Sequence, residues 1–464
     1  MTLEGNFNIE SLFSTLNFNS IRLVKRFFMT MKLFLQNTEE TIRGACVSTK
    51  QLKAIYRMCN NEKFKRENIL QAHNYSISKL ITENYNKVLL IQDTTSINYN
   101  SQKKKEGNGF ISAHIKGVNL HTCIAVSTDG LVLGVMDQIA YNRESSSDES
   151  QSKHEKKKRA IKDKESNRWL VATDNSHINL PKDFDTVTIT DREGDIYEFI
   201  NKMTLDSKGY LIRVSQNRMT TDNKRIINAI KATDCKGTVQ VQVPRDTKNN
   251  IKERIATLDV YYDCYSLKRP ATLNKTQNIL PSIDVSVIYL KENNPDDPTE
   301  GIEWVLMTNA PVNSLEEAME QVQYYQFRWR IERFHYALKQ GCKVEKIQSR
   351  RMEVTIKLLL MYSIIAIIIM NLTYLARINP DLPCTLFFDE DEWKFLYGVA
   401  TEKDDIPDEP YTIFEAVEYI SWLGGPKTPD SYGPPGIKTI WKGIRHFYTL
   451  YNKRKIIAKI VGQV

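Results

Sequence analysis

The chain has 464 residues, enough for about three domains at roughly 150 residues each. Hydrophobic residues make up 41% and aromatic ones 10%, which excludes a disordered chain. Basic residues exceed acidic ones by eight, and the excess is uneven: 153–168 holds eight Lys/Arg against three acids, 431–464 seven against none, and 381–409 ten acids against two lysines.

Clustered basic charge is the footprint of a polyanion such as DNA; the alternative is a solvated, salt-bridged face. Seven scattered cysteines form no C-x-x-C pair and seven histidines no H-x-x-x-H. That argues against a disulfide scaffold or a zinc finger and fits a reducing cytoplasm. Met1–Glu10 lacks the basic-then-apolar pattern of a signal peptide.

Taken in order, the first 80 residues read as helical, with apolar residues at helical spacing over Phe13–Phe34 and Gln51–Met58 and a further helix from Asn68. Val88–Gln92 is a short apolar strand ending in Asp93. His121–Ser127 and Leu131–Met136 flank the turn Asp129-Gly130 and read as a hairpin. The basic segment 151–168 reads as a helix or loop. Thr186–Thr190 is a second strand, ending in Asp191, followed by a helix over Ile196–Met203 and a strand over Tyr210–Val214.

Thr238–Val243, Ile255–Tyr262, Ile283–Leu290 and Glu303–Met307 read as strands. Helical periodicity returns from Leu315 to about Gln340. Leu358–Leu375 approaches the length of a membrane span, but a helix buried on all sides of a large domain reads the same way, and the buried helix is the reading adopted. The acidic stretch after Pro380 reads as a linker. A second helical unit runs from about Asp408, broken at Gly424-Gly425-Pro426 and Gly433-Pro434-Pro435-Gly436.

Two apolar strands thus end in carboxylates, Asp93 and Asp191. Chemistry in open α/β sheets sits off strand ends, although an Asp there also serves as a cap or turn residue. On the 315–340 helix, at 100° per residue, Tyr325, Arg328, Glu332 and Lys339 fall within a stripe about 60° wide. Phe327, Ile331, Phe334 and Leu338 take the opposite face. The plainer reading is an exposed Arg328–Glu332 ion pair. Three carboxylates on separate elements are also what two-metal phosphoryl transfer requires, with hard Mg²⁺ or Mn²⁺ favouring oxygen ligands.

At these residues the sequence resembles a known family. Tyr325-x₂-Arg328-x₃-Glu332-x₆-Lys339 is similar to the Y-R-E-K signature of the Tn-five-type cut-and-paste DDE transposases of bacterial insertion sequences. Gln92-Asp93-Thr94-Thr95 resembles their first catalytic block and Asp191-Arg192-Glu193-Gly194-Asp195-Ile196 the second. Lys164-Glu165-Ser166 with Trp169, Ala45-Cys46 through His73, and Leu423-Gly424-Gly425 with Trp441 and Gly443 add to the likeness, which spans nearly the whole chain without departure at the catalytic positions.

The resemblance implies an α/β fold: a ribonuclease-H-like catalytic core with a β-rich insertion, flanked by helical N-terminal and C-terminal domains. The implied divisions are a DNA-binding domain at 1–75, a catalytic domain at 76–375 with its insertion at about 235–310, and a dimerisation domain at 376–464. It implies that Asp93, Asp191 and Glu332 are catalytic and hold two Mg²⁺ ions, with Mn²⁺ as a substitute. Tyr325, Arg328, Lys339 and Arg192 would contact DNA, and Trp304 would stack on a flipped base or else be a buried strand residue.

The implied activity is binding of transposon-end inverted repeats, nicking, formation and opening of a DNA hairpin, and joining of the 3′-OH ends to target DNA. The implied partners are double-stranded DNA, at transposon ends and target, and a second copy in a homodimeric synaptic complex. No membrane is implied, and the expected location is the cytoplasm, at the nucleoid. The alternatives are a DNA-binding repressor or domesticated relative without catalysis, and a metal-dependent nuclease that only hydrolyses.

Overall fold

The computed structural model describes residues 9–143, 160–243, 254–273, 276, 278–293, 301–426 and 434–461. The part of the predicted basic segment at 151–159 lies outside the described residues.

Among the described residues, nine strands form one mixed sheet in the order β3-β2-β1-β4-β5-β9-β8-β7-β6. Strands β1 (Lys87–Asn98), β2 (Gly117–Ser127) and β3 (Val132–Tyr141) form an antiparallel meander. Strands β4 (Asp185–Thr190) and β5 (Gly209–Arg213) add parallel to β1, each after a helical crossover, Asn167–His177 and then Tyr197–Leu205. The predicted β-rich insertion is β6 (Gly237–Val243), β7 (Arg254–Lys268), β8 (Ser282–Glu292) and β9 (Glu303–Thr308). It extends the core sheet, because β9 pairs antiparallel with β5, Leu211 opposite Thr308. Three antiparallel strands followed by parallel β4 and β5, covered by helices, make a ribonuclease-H-like sheet.

The strands form where apolar and β-branched residues run together, as in Val88–Ile91, all fully buried. One core lies under the N-terminal helices and Met352–Ile378; a second gathers Trp169, Phe199, Tyr210 and Met307. Met352–Ile378 is the one helix among the described residues long and apolar enough to cross a membrane, and its most apolar window is wholly buried in the fold. Its neighbours include β3 and helices Ile21–Gln36, Arg66–Asn84, Ile413–Gly424 and Ile437–Val461.

Three expectations about the helices change. The first long helix begins at Ile21, not Phe13, because Asn19 takes a left-handed φ of 52° and Ser20 is extended. Phe13 instead ends a short 3-10 turn, Ser11–Phe13. The acidic stretch after Pro380 contains a helix, Glu390–Thr401. Asp389 and Glu392 form its capping box, and Glu390, Asp391 and Glu392 sit in its first turn, where the helix dipole favours negative charge. The 315–340 helix is three pieces: Leu315–Gln326, Trp329–Tyr336 and a π-turn over Ala337–Gly341.

Candidate active site

Register places the two aspartates. The β1–β4 pairs run from Lys87 opposite Asp185 to Ile91 opposite Ile189. Asp93 and Asp191 each lie two residues beyond the last of these pairs. Asp93 does not end its strand, as the sequence reading had it. β1 runs on to Asn98, paired with β2 alone, with Asp93 opposite Thr122. Asp93 therefore sits where β4 peels away and its edge is free.

Asp191 directly follows β4 and caps the short turn Arg192–Gly194, its Oδ1 accepting from the Glu193 amide at 2.8 Å. The capping role and the strand-end position coexist.

The third acid arrives from above the sheet. Glu332 lies in the first turn of Trp329–Tyr336, and Arg328 donates to its Oε1 at 2.5 Å. The Asp93 carboxyl is pushed up to about 7, first by burial and then by Asp191, with Glu332 adding; the Thr94 amide and Arg328 oppose. Asp93 thus lies within range of the charge of both other acids. Among the described residues, no group of three or more His, Cys, Asp or Glu side chains is placed to hold a metal ion as it stands. Arg328 holds Glu332, and Glu193 takes one oxygen of Asp191. The donors are all carboxylate oxygens, which suits a hard divalent cation, and a cation there would relieve the repulsion that raises Asp93.

Cations ring the acids. Arg328 is 8% exposed; burial acts to lower its pKa, but Tyr325, Glu332 and Asp93 together raise it. Lys339, in the π-turn, is lowered by burial, against the pull of Glu345 and Asp93. Arg192 is exposed beside Asp191.

Tyr325 lies beside Arg328 and feels the charge of Asp191. It is 3% exposed, its ring edge-on to Trp304 at 5.3 Å, and its neighbours are Arg213 and Arg328. Trp304 is half-buried on β9, between the base-stacking and core readings.

Two neighbours escaped the sequence reading. Arg213 ends β5, one residue past Ile212, which is the partner of Thr190. Its pKa is lowered, by burial first, amid Tyr325, Arg192 and Arg328. The signal for it was a cation at the end of the third parallel strand. His335 is 8% exposed, with Nδ1 3.8 Å from Asp93 Oδ2. Burial, then Lys339 and Arg328, lower its pKa to about 3, so it is neutral. Helical spacing from Glu332 was its only signal.

A ribonuclease-H-like sheet with one acid within β1, a second directly after the adjacent β4, a third on a following helix and arginines around them defines a class of nucleic-acid-processing domain. Comparison with known families narrows it. A transposase DDE domain matches residues 84–369, more than half of the chain. A transposase DNA-binding unit matches 8–64, and a transposase Tn5 dimerisation domain matches 364–458. The chain belongs to the DDE transposase family and is Tn5-like. Among solved structures it is similar to a piggyBac transposase synaptic complex with hairpin DNA, at 10% identity and a TM-score of 0.36. That match covers 90% of this chain, which spans 63% of the piggyBac chain.

Proposed function

We propose that this protein is a cut-and-paste DNA transposase whose catalytic acids are Asp93, Asp191 and Glu332. The observation that carries the reading is that Asp93, pushed up to about 7 by burial first, also feels the charge of both Asp191 and Glu332, acids 98 and 239 residues further along the chain. Such crowding of like charge is costly to stability, and functional sites are where it is tolerated.

The acids would hold two divalent ions, Mg²⁺ or Mn²⁺, which when bound supply activation of the attacking oxygen and stabilisation of the leaving one. Asp93, which feels the charge of both other acids, would hold an ion together with them. Arg328 releases Glu332 for this role and turns its guanidinium to phosphate oxygens, which it can grip through two parallel bonds. Arg192, Arg213 and Lys339 flank the acids and clamp the strand on either side of the cut. The half-exposed ring of Trp304, backed by Tyr325, offers a face to an unstacked base when the strand bends into a hairpin.

The domain at 1–75 binds the inverted repeats, 76–375 cuts and joins, and 376–464 pairs two copies so that both ends are processed together, in the cytoplasm at the nucleoid. The test is purified protein with Mg²⁺ and DNA carrying its native ends. Nicks followed by hairpins and joined products are expected. Nicks alone would identify a nuclease, and end binding without cleavage a repressor.

A further inference from the structure

We propose that Arg168 is a positioning residue that locks the Asp93 and Asp191 blocks together from the reverse face of the sheet. The inference rests on the reading of those two aspartates as catalytic acids. Arg168 is the second residue of helix Asn167–His177, with its side chain 13% exposed. Its Nε donates to Thr94 Oγ1 at 3.2 Å, next to Asp93. Its Nη2 donates to Glu193 Oε2 at 2.9 Å, and the Glu193 amide in turn donates to Asp191 Oδ1 at 2.8 Å. Nη1 reaches the Glu165 carbonyl at 3.0 Å. One rigid, planar donor fork therefore spans both blocks.

The Thr94 end of this bridge is itself fixed by a chain of hydrogen bonds with a single consistent direction. Gln92 Nε2 donates to Thr173 Oγ1 at 2.9 Å, and the Thr173 hydroxyl donates to the Trp169 carbonyl at 2.8 Å. Gln92 Oε1 must then accept, so His121 donates to it from Nε2, at 3.0 Å. His121 Nδ1 is left as an acceptor and takes the Thr94 hydroxyl proton at 2.9 Å. The Thr94 oxygen keeps its lone pairs for Arg168. Burial, and then Arg168, push the His121 pKa well below the ordinary histidine value, so the neutral ring this order requires is the one present.

Gln92 and Thr94 flank Asp93, and alternation along a strand points them to the opposite face. The chain thus grips β1 on both sides of Asp93 without covering its carboxylate. Asp93 and Asp191 repel one another. Arg168 holds the two blocks together while bonding to neither acid itself.

The test compares Arg168→Gln, Arg168→Lys and Thr94→Val with the parent protein. Mn²⁺ affinity is measured by calorimetry without DNA, end binding by gel shift without metal, and nicking as a function of Mg²⁺. Arg168→Gln is expected to weaken Mn²⁺ affinity and raise the Mg²⁺ needed for half-maximal nicking by about tenfold or more, the usual effect of losing a residue that orients metal ligands. End binding should be unchanged, and Arg168→Lys should recover part of the loss. Thr94→Val, which removes one hydroxyl, should shift both metal readouts in the same direction and serves if Arg168→Gln does not fold. Unchanged metal readouts in Arg168→Gln or Thr94→Val overturn the proposal. So does a loss of end binding at unchanged Mn²⁺ affinity, which would make Arg168 a DNA contact. Asp93→Asn is the control: if it keeps both nicking and Mn²⁺ affinity, the reading of the acids has failed, independently of Arg168.

Discussion

Asp93 carries an electrostatic load that can be read out as stability. Its carboxyl sits at about 7 in the folded protein and near 3.8 when unfolded. Between those values the folded chain keeps a proton that the unfolded chain has released. Stability of the metal-free protein therefore falls as pH rises from about 4 to about 7 and levels off above. Asp93→Asn should remove this slope and raise stability at pH 8 by on the order of 1–3 kcal/mol, seen in urea titrations at several pH values. The same variant should abolish DNA cleavage and keep end binding in a gel shift. Asp93 and Asp191 could be singled out from sequence because an apolar strand leading into an acid is a local pattern. Arg213, His335 and Arg168 could not, because their meaning depends on strand register and on what lies across the sheet.

Local signals located most strands and helices, including all four strands of the insertion, since β-branched runs and alternation need no knowledge of the partner strand. The breaks were harder to foresee. Between Gln326 and Trp329 the helix is interrupted beside the β2–β3 turn, where Arg330 Nε donates to the Gly130 carbonyl at 2.9 Å. Gly130 has φ +92°, and a Cβ there would lie 2.5 Å from the Phe327 ring. The hairpin tip thus braces the break that aims Glu332, a contact across nearly two hundred residues. Gly130→Ala should cost about 1–3 kcal/mol in denaturant unfolding and lower cleavage more than end binding. The acidic run after Pro380 was misread as a linker because charge alone does not distinguish a solvated tether from a helix start. The Asp389/Glu392 capping box does. Asp389→Ala should destabilise the protein by about 1 kcal/mol, measured by thermal unfolding.

The whole molecule closes around Trp441. Its carbonyl accepts from Thr38 at 2.8 Å, its indole donates to Glu39 at 3.0 Å, and its ring packs on Tyr336 and against Gly341 in the π-turn that carries Lys339. Residues from the N-terminal, catalytic and C-terminal units meet there, although Thr38 and Trp441 stand 403 positions apart in the chain. No sequence pattern encodes a contact of that span, so the order of the three units could be read and their junction could not. Trp441→Ala should cost about 3–5 kcal/mol in chemical denaturation, through a cavity and the lost indole hydrogen bond to Glu39. Shared metal at the junction of β1, β4 and Trp329–Tyr336 is tested most directly by anomalous diffraction from crystals grown with Mn²⁺ and end DNA. The prediction is Mn²⁺ coordinated by Asp93 together with Asp191 or Glu332, with Arg328 withdrawn from Glu332. Crystals in which Mn²⁺ binds elsewhere, and the three carboxylates stay uncoordinated with DNA in place, would contradict it.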